Sequence, residues 1–174
     1  MALRGFDEAL RFTLGEEGGY VDDPRDRGGA TNQGVTQAVY DSWRGNHGLA
    51  LQGVRLISKS EVSDLYRERF WDAGHCEVLP MSLAIAHFDW CVNHGPHGAL
   101  LTLQQALGVT VDGLWGATTA SAAAQSAASA YIRYDALRRQ WYLKRVAEEP
   151  DQAAFLKGWL KRVDRLDTYI EGLR

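Results

Sequence analysis

GEEGGYVDDPRDRGGATNQGVT, residues 15–36, packs six glycines, two glutamates and three aspartates into one run with little apolar surface beyond Tyr20, Val21 and Val35. Its reading decides the fold. The flanking sequence is helical in pattern, whereas this run has too many glycines for a helix and is broken at Pro24 and Gly28-Gly29. It reads as a loop or one small hairpin. Just before it, Phe6, Ala9, Leu10, Thr13 and Leu14 recur at spacings of three and four, and Gly18-Gly19 stops that helix.

Downstream the helical pattern resumes. Val35 to Trp43 predicts a short helix ended near Gly45. Ser58 and Glu61 have the spacing of a capping box, and Val62, Leu65, Tyr66 and Phe70 follow at helical spacing. Met81 to Val92, after Pro80, is apolar nearly all round, as a buried central helix is. Ala99 to Leu107 continues helical, and Asp112 to Gly116 reads as a turn. An alanine-rich helix is expected from Ala117 to Pro150, with room for one break and with Tyr131, Tyr134, Leu137 and Trp141 on a shared face. Asp151 is the expected N-cap of a last helix whose stripe runs Phe155, Trp159, Val163, Leu166, Ile170, Leu173. The predicted class is mainly α, with at most one small β-hairpin at residues 20–36 and the C-terminal helices packed on the rest.

A chain of 174 residues is long enough to bury a core without staples. The formal net charge of −3 argues against a general nucleic-acid binder. Two cysteines are too few for a disulfide framework. No apolar run reaches the ~18 residues of a membrane span, so stable membrane insertion is not expected. The start MALRGFDEALRF has no apolar segment of signal-peptide type, so synthesis in the cytoplasm is expected.

The carboxylates of residues 15–36 are not equivalent. At about 100° per residue, Glu17 falls in the middle of the apolar stripe of the first helix and Glu16 on its edge. A carboxylic acid held in apolar surroundings has a raised pKa, which suits a general acid. The same position also suits a brace for the glycine loop. Asp26 lies nine residues after Glu17 across a turn-rich loop that can bring it back. Two converging carboxylates suit glycoside hydrolysis, in which one protonates the leaving oxygen and the other serves the water or the developing charge. Asp22 and Asp23 precede Pro24 and read as turn formers. Thr31, Asn32 and Thr36 add small hydrogen-bonding groups, with Thr36 equally placed to cap the next helix.

Other candidates carry less. His75, Cys76, His87, Cys91, His94 and His97 show no zinc-finger or His-Glu-x-x-His spacing, so neither a metal nor another cofactor is expected. Among six tryptophans, Trp71 and Trp115 adjoin turns or polar residues and are the better sugar contacts, whereas Trp159 reads as core. Gln104-Gln105 reads as a solvated face. Asn93 is either a helix C-cap or a polar lining of a site.

Glu17-Gly18-Gly19-Tyr20, followed by Asp23-Pro24, Asp26, Gly28-Gly29-Ala30-Thr31-Asn32 and Gly34-Val35-Thr36, resembles the signature of glycoside hydrolase family 108, the lysozyme-like N-acetylmuramidases of phages and bacteria. Phe70-Trp71-Asp72, Leu79-Pro80 and Phe88-Asp89-Trp90-Cys91-Val92-Asn93-His94-Gly95 resemble its central segments. Leu103-Gln104, Ala106-Leu107-Gly108-Val109 and Val111-Asp112-Gly113 with Gly116 resemble the predicted peptidoglycan-binding region that completes such chains. The resemblance implies a lysozyme-like catalytic region over residues 1–95 and a helical peptidoglycan-binding region over 96–174, packed as one unit. It implies Glu17 as catalytic acid, with Asp26 and Thr31 beside it. Thr31 falls one residue early for the third catalytic position of related phage lysozymes, and Asn32 occupies that count. Tyr20, Asn32, Thr36, Trp71 and Asn93 are the implied substrate contacts. Gln33 stands where the family often has phenylalanine. The implied activity is cleavage of the β-1,4 bond between N-acetylmuramic acid and N-acetylglucosamine in peptidoglycan glycan strands, by a monomer that reaches the periplasmic wall through a holin or a secretion apparatus. A phage endolysin is the leading role. A lytic transglycosylase and a bacterial muramidase assisting secretion are the alternatives.

Overall fold

In the computed structural model the central helix is as apolar in its surroundings as in its sequence. It is α4 (Met81–His94), and every residue from Leu83 to Cys91 is buried. Pro80 precedes it, and Gly95 at φ 79° ends it by donating its N–H to Cys91 O. The structure describes residues 2–16, 19–21 and 30–173. Among these, eight α-helices and one two-stranded antiparallel sheet make up the regular structure, joined by short 3₁₀ and π turns. The mainly α class therefore holds. No helix among the described residues is long and apolar enough to cross a membrane.

The chain divides into two compact units, Leu10–Glu68 on one side and Met1–Ala9 with Arg69–Arg174 on the other. Helix α1 (Ala2–Glu16) contributes to both.

In the smaller unit, β1 (Thr31–Asn32) pairs with β2 (Val35–Thr36) in the register Thr31↔Thr36 and Asn32↔Val35. The hairpin therefore falls within residues 20–36. Gln33 and Gly34 make its two-residue turn with φ 50° and 75°. Positive φ at both central positions is what a turn matching the strand twist requires. This pairing takes Val35 and Thr36 out of the helix expected to begin there. Helix α2 (Gln37–Asn46) starts after them, with Thr36 as N-cap accepting from Val39 N at 3.3 Å. Helix α3 (Lys59–Tyr66) carries the predicted capping box: Ser58 Oγ accepts from Glu61 N at 3.2 Å, and Ser58 N donates to Glu61 Oε2 at 2.9 Å. Arg44 pairs with Glu61, which ties α2 to α3.

In the larger unit, α5 (Pro96–Leu107), α6 (Ala117–Ala124), α7 (Ala128–Glu148) and α8 (Ala153–Gly172) join α4. Proline opens α5 at its first turn and Gly108 at φ 73° closes it, following the usual asymmetry of helix ends. The alanine-rich segment does break, between Ala124 and Ala128. The buried face of α7 is Ala130, Tyr134, Arg138 and Tyr142. The expected face placed Leu137 and Trp141 there instead, because no apolar pattern predicts a buried arginine. The last helix is also corrected. Pro150 fixes its own φ and starts a 3₁₀ turn, Pro150–Gln152, so Asp151 sits inside the turn and Gln152, without a side-chain bond, is the cap. Val163, Leu166 and Ile170 are core as predicted, but Phe155 is 57% exposed and Trp159 only half-buried.

Two buried polar anchors hold the larger unit. Asp89 accepts from Arg138 Nη2 at 2.6 Å and from Arg162 Nη2 at 2.9 Å, joining α4 to α7 and α8. Asp89 and Arg138 are both 0% exposed. Such a cluster stabilises little in net terms but is costly to break, since removing one partner strands a buried charge. Gln104 is wholly buried rather than solvated. Its Nε2 donates to Asp112 Oδ1 at 2.7 Å and Leu114 O at 3.0 Å, while its Oε1 accepts from the N–H of Asp112 and Gly113. The Asp112–Gly116 turn thus hangs on one amide side chain. On the other side of α7, Arg139 pairs with Asp135, Asp164 and Asp167.

Candidate functional site

The pair expected to carry the chemistry, Glu17 and Asp26, lies outside the described residues, as do Asp22, Asp23, Gly28 and Gly29. Their neighbours are described. Glu16 ends α1 and is half-buried. Thr31 is half-buried in β1, where its backbone exchanges two 2.8 Å hydrogen bonds with Val21. That bridge returns the chain from the glycine-rich loop and fixes its exit next to its entrance. Asn32 donates from Nδ2 to Val54 O at 3.2 Å, fastening the hairpin to the following loop. Tyr66 does the same from the other side, donating its hydroxyl to Gln33 O at 3.0 Å. Tyr20 is 40% exposed, with the Arg55 guanidinium 5.3 Å above its ring. Thr31, Asn32 and Thr36 thus lie on one hairpin, and Tyr20 precedes the residue that bridges to it. Of the two readings of Thr36, the structure shows the cap.

Trp71 is corrected. It is 2% exposed, its ring meets Phe6 and Phe88 at 5.5 and 5.9 Å, and its indole N–H donates to Glu77 at 3.1 Å. A π-helical stretch, Arg67–Asp72, turns it inward, which adjacency to polar residues in sequence does not reveal. Trp115 is half-buried and stacks on His75 at 4.3 Å. Asn93 is exposed near the end of α4 and back-bonds to Asp89 O at 2.6 Å, while the cap itself is Gly95.

Cys76, His87 and Cys91 bring their ligand atoms within 4.8 Å of one another, all buried. Both cysteines are free thiols. Both nitrogens of His87 are already engaged, Nδ1 with the Tyr134 hydroxyl at 2.7 Å and Nε2 with Gly74 O at 3.0 Å. A metal would have to displace one of these bonds. Burial pushes Cys76 up, and its bond to Cys91 adds to that. Burial would also raise Cys91, but the Cys76 hydrogen bond and His87 outweigh it and hold Cys91 down. Gly74 makes this packing possible, because a Cβ there would lie 2.6 Å from Phe70 O and 2.7 Å from Cys91 Sγ.

A cavity of about 400 Å³ opens within the larger unit. Trp90, Trp141, Tyr142 and Trp159 form its aromatic walls, and Asn93, His94, Arg145 and Gln152 supply polar groups. Burial, then the nearby Arg145 charge, lowers the pKa of His94. Of these eight residues, Asn93 is the one the sequence offered as a substrate contact. The signal was present in the helical spacing of Trp90 to His94 and of Trp141 to Arg145, but nothing local said the two faces meet.

The segment bearing the hairpin, residues 10–95, matches the family model described as Glycosyl hydrolase 108. Residues 98–164 match a second model, described as Predicted Peptidoglycan domain. Among solved structures, SagA of Brucella abortus is similar: 33% identity over 96% of this chain and 94% of that one, with a TM-score of 0.76. No curated protein matches. The chain belongs to glycosyl hydrolase family 108. It is a glycoside hydrolase that acts on cell-wall peptidoglycan.

Proposed function

We propose that the chain is an N-acetylmuramidase that hydrolyses the β-1,4 bond between N-acetylmuramic acid and N-acetylglucosamine, with Glu17 as general acid. The carrying observation is the Glu17–Asp26 spacing inside the segment matched by the hydrolase model. Glu17 gives its proton to the glycosidic oxygen as the bond to the anomeric carbon breaks. Asp26, with Thr31 beside it, orients the water or stabilises the developing positive charge. The gathering of Thr31, Asn32 and Thr36 on one hairpin, with Tyr20 beside the Val21 bridge to it, supports this reading, since a fixed frame of polar groups suits sugar hydroxyls. Asn93 is a further sugar contact, and residues 96–174 form the wall-binding region.

Purified sacculi digested with the protein test the proposal. Mass spectrometry is expected to show reducing-end muramic acid, and Glu17→Gln to release nothing. Anhydromuramic products mean a lytic transglycosylase instead. In biological role the reading is a phage endolysin acting as a monomer and reaching the wall through a holin. A muramidase serving protein secretion is the alternative, and the genes encoded beside it separate the two.

A further inference from the structure

We propose that the cavity walled by Trp141 and Trp159 is a second saccharide site, holding an N-acetylhexosamine ring of the glycan strand. This rests on the peptidoglycan reading above but uses none of the catalytic residues. The volume, about 400 Å³, lies in the ~300–1,000 Å³ range of small-ligand sites. A pyranose offers an apolar C–H face for an indole and an acetamido group and hydroxyls for hydrogen bonds. The lining supplies both kinds of partner. Trp141 and Trp159 are half-buried, and the Arg145 guanidinium lies 5.6 Å over the Trp141 ring. Trp90 is the floor, already covered by His94 at 4.6 Å and by the Arg138 guanidinium at 5.0 Å. Asn93, Gln152 and His94 provide neutral donors and acceptors around it.

The charge balance selects the sugar over the stem peptide. Arg145 is the cation of the lining, and Glu149 pairs with it at 3.0 Å. A site built for peptide carboxylates would leave its cation uncompensated, whereas a nearly neutral lining suits a neutral amino sugar. The row of aromatic rings also leaves the cavity. Tyr142 stacks on Trp159 at 5.0 Å and Trp159 on Phe155 at 5.9 Å, and Phe155 is 57% exposed. Neither family model crosses this site whole, since Trp90 to His94 lie in the first and Trp141 to Trp159 in the second.

The test titrates the full chain, with its tryptophans labelled with nitrogen-15, against the purified N-acetylglucosamine–N-acetylmuramic acid disaccharide. That probe contains no further muramic bond to cut. The indole signals of Trp141 and Trp159 are expected to shift, and those of Trp43 and Trp71 to stay. Trp159→Ala and Arg145→Met are expected to weaken the response at least fivefold, and Trp159→Phe to recover most of it. Arg145→Met guards against loss of folding at Trp159. Unchanged Trp141 and Trp159 signals, or affinity equal to that of the unaltered chain in both variants, overturn the proposal. So does a response to the free stem tripeptide in place of the disaccharide. Sacculus cleavage is scored separately. Normal cleavage without indole shifts removes the site and leaves the muramidase reading. Indole shifts without cleavage remove that reading and support the site.

Discussion

The two units solve different problems. The larger one buries polar groups: Asp89 with Arg138 and Arg162, Gln104 under its turn, and His87 between Tyr134 and Gly74. The smaller one uses polar groups at helix starts and turns, as in the Ser58 capping box, the Thr36 cap and the Asn32 clasp. A buried polar network locks helices in one arrangement and is costly to disturb, whereas surface caps are cheap and local. The contrast teaches a division of labour, with rigidity placed in the larger unit and the proposed catalytic residues falling in the smaller one.

The most severe test of that division is Glu17→Gln. Loss of the general acid is expected to lower cell-wall lysis by about 10²–10⁴-fold, with an unchanged melting curve. Near-normal lysis would remove the assignment, and a collapsed melting temperature would make Glu17 structural. Asp89→Asn is expected to do the opposite. It leaves Arg138 buried without its counter-charge, at a cost of about 3–5 kcal/mol, read in urea unfolding. Gln104→Ala strands the N–H groups of Asp112 and Gly113 and is expected to cost about 1–3 kcal/mol. In the smaller unit, Ser58→Ala is expected to cost only about 1 kcal/mol. If the Ser58 change proves as damaging as the Asp89 change, the contrast between the units fails.

The smallest effect is one of sign. The Trp43 carbonyl bond raises His47, against desolvation and with help from Glu68, whereas burial lowers His94, with Arg145 adding to it. His47 binds its proton more tightly folded than unfolded. Its contribution is therefore full below about pH 6.5 and fades as pH rises through its raised value. His94 prefers to stay neutral when folded, so its contribution is full above about pH 6.5 and fades as pH falls through its lowered value. Histidine NMR titration is expected to place the two midpoints on opposite sides of 6.5, and midpoints on one side would refute the assignment.

Several elements were legible because their signals are local. The capping box at Ser58 needs only residues three apart, and α4 needs only a mostly apolar run after a proline. The hairpin followed from glycine content, although its β2 strand took two residues that helix periodicity had claimed. The reading failed where a residue type is used against its average habit. Arg138 and Gln104 are buried because partners far along the chain satisfy them, and Trp159 is half-exposed because α8 begins beside a cavity.

By itself, then, the sequence determined the helical class, the α3 capping box and several helix ends, and it carries the carboxylate spacing on which the proposed chemistry rests. These are set by backbone sterics, side-chain periodicity and short-range hydrogen bonds. Only the tertiary structure decided which polar side chains are interior, that Trp71 is core, and that faces of α4, α7 and α8 enclose an aromatic cavity. Those outcomes depend on what meets across tens of residues, and packing between helices, not any local rule, chooses the partners.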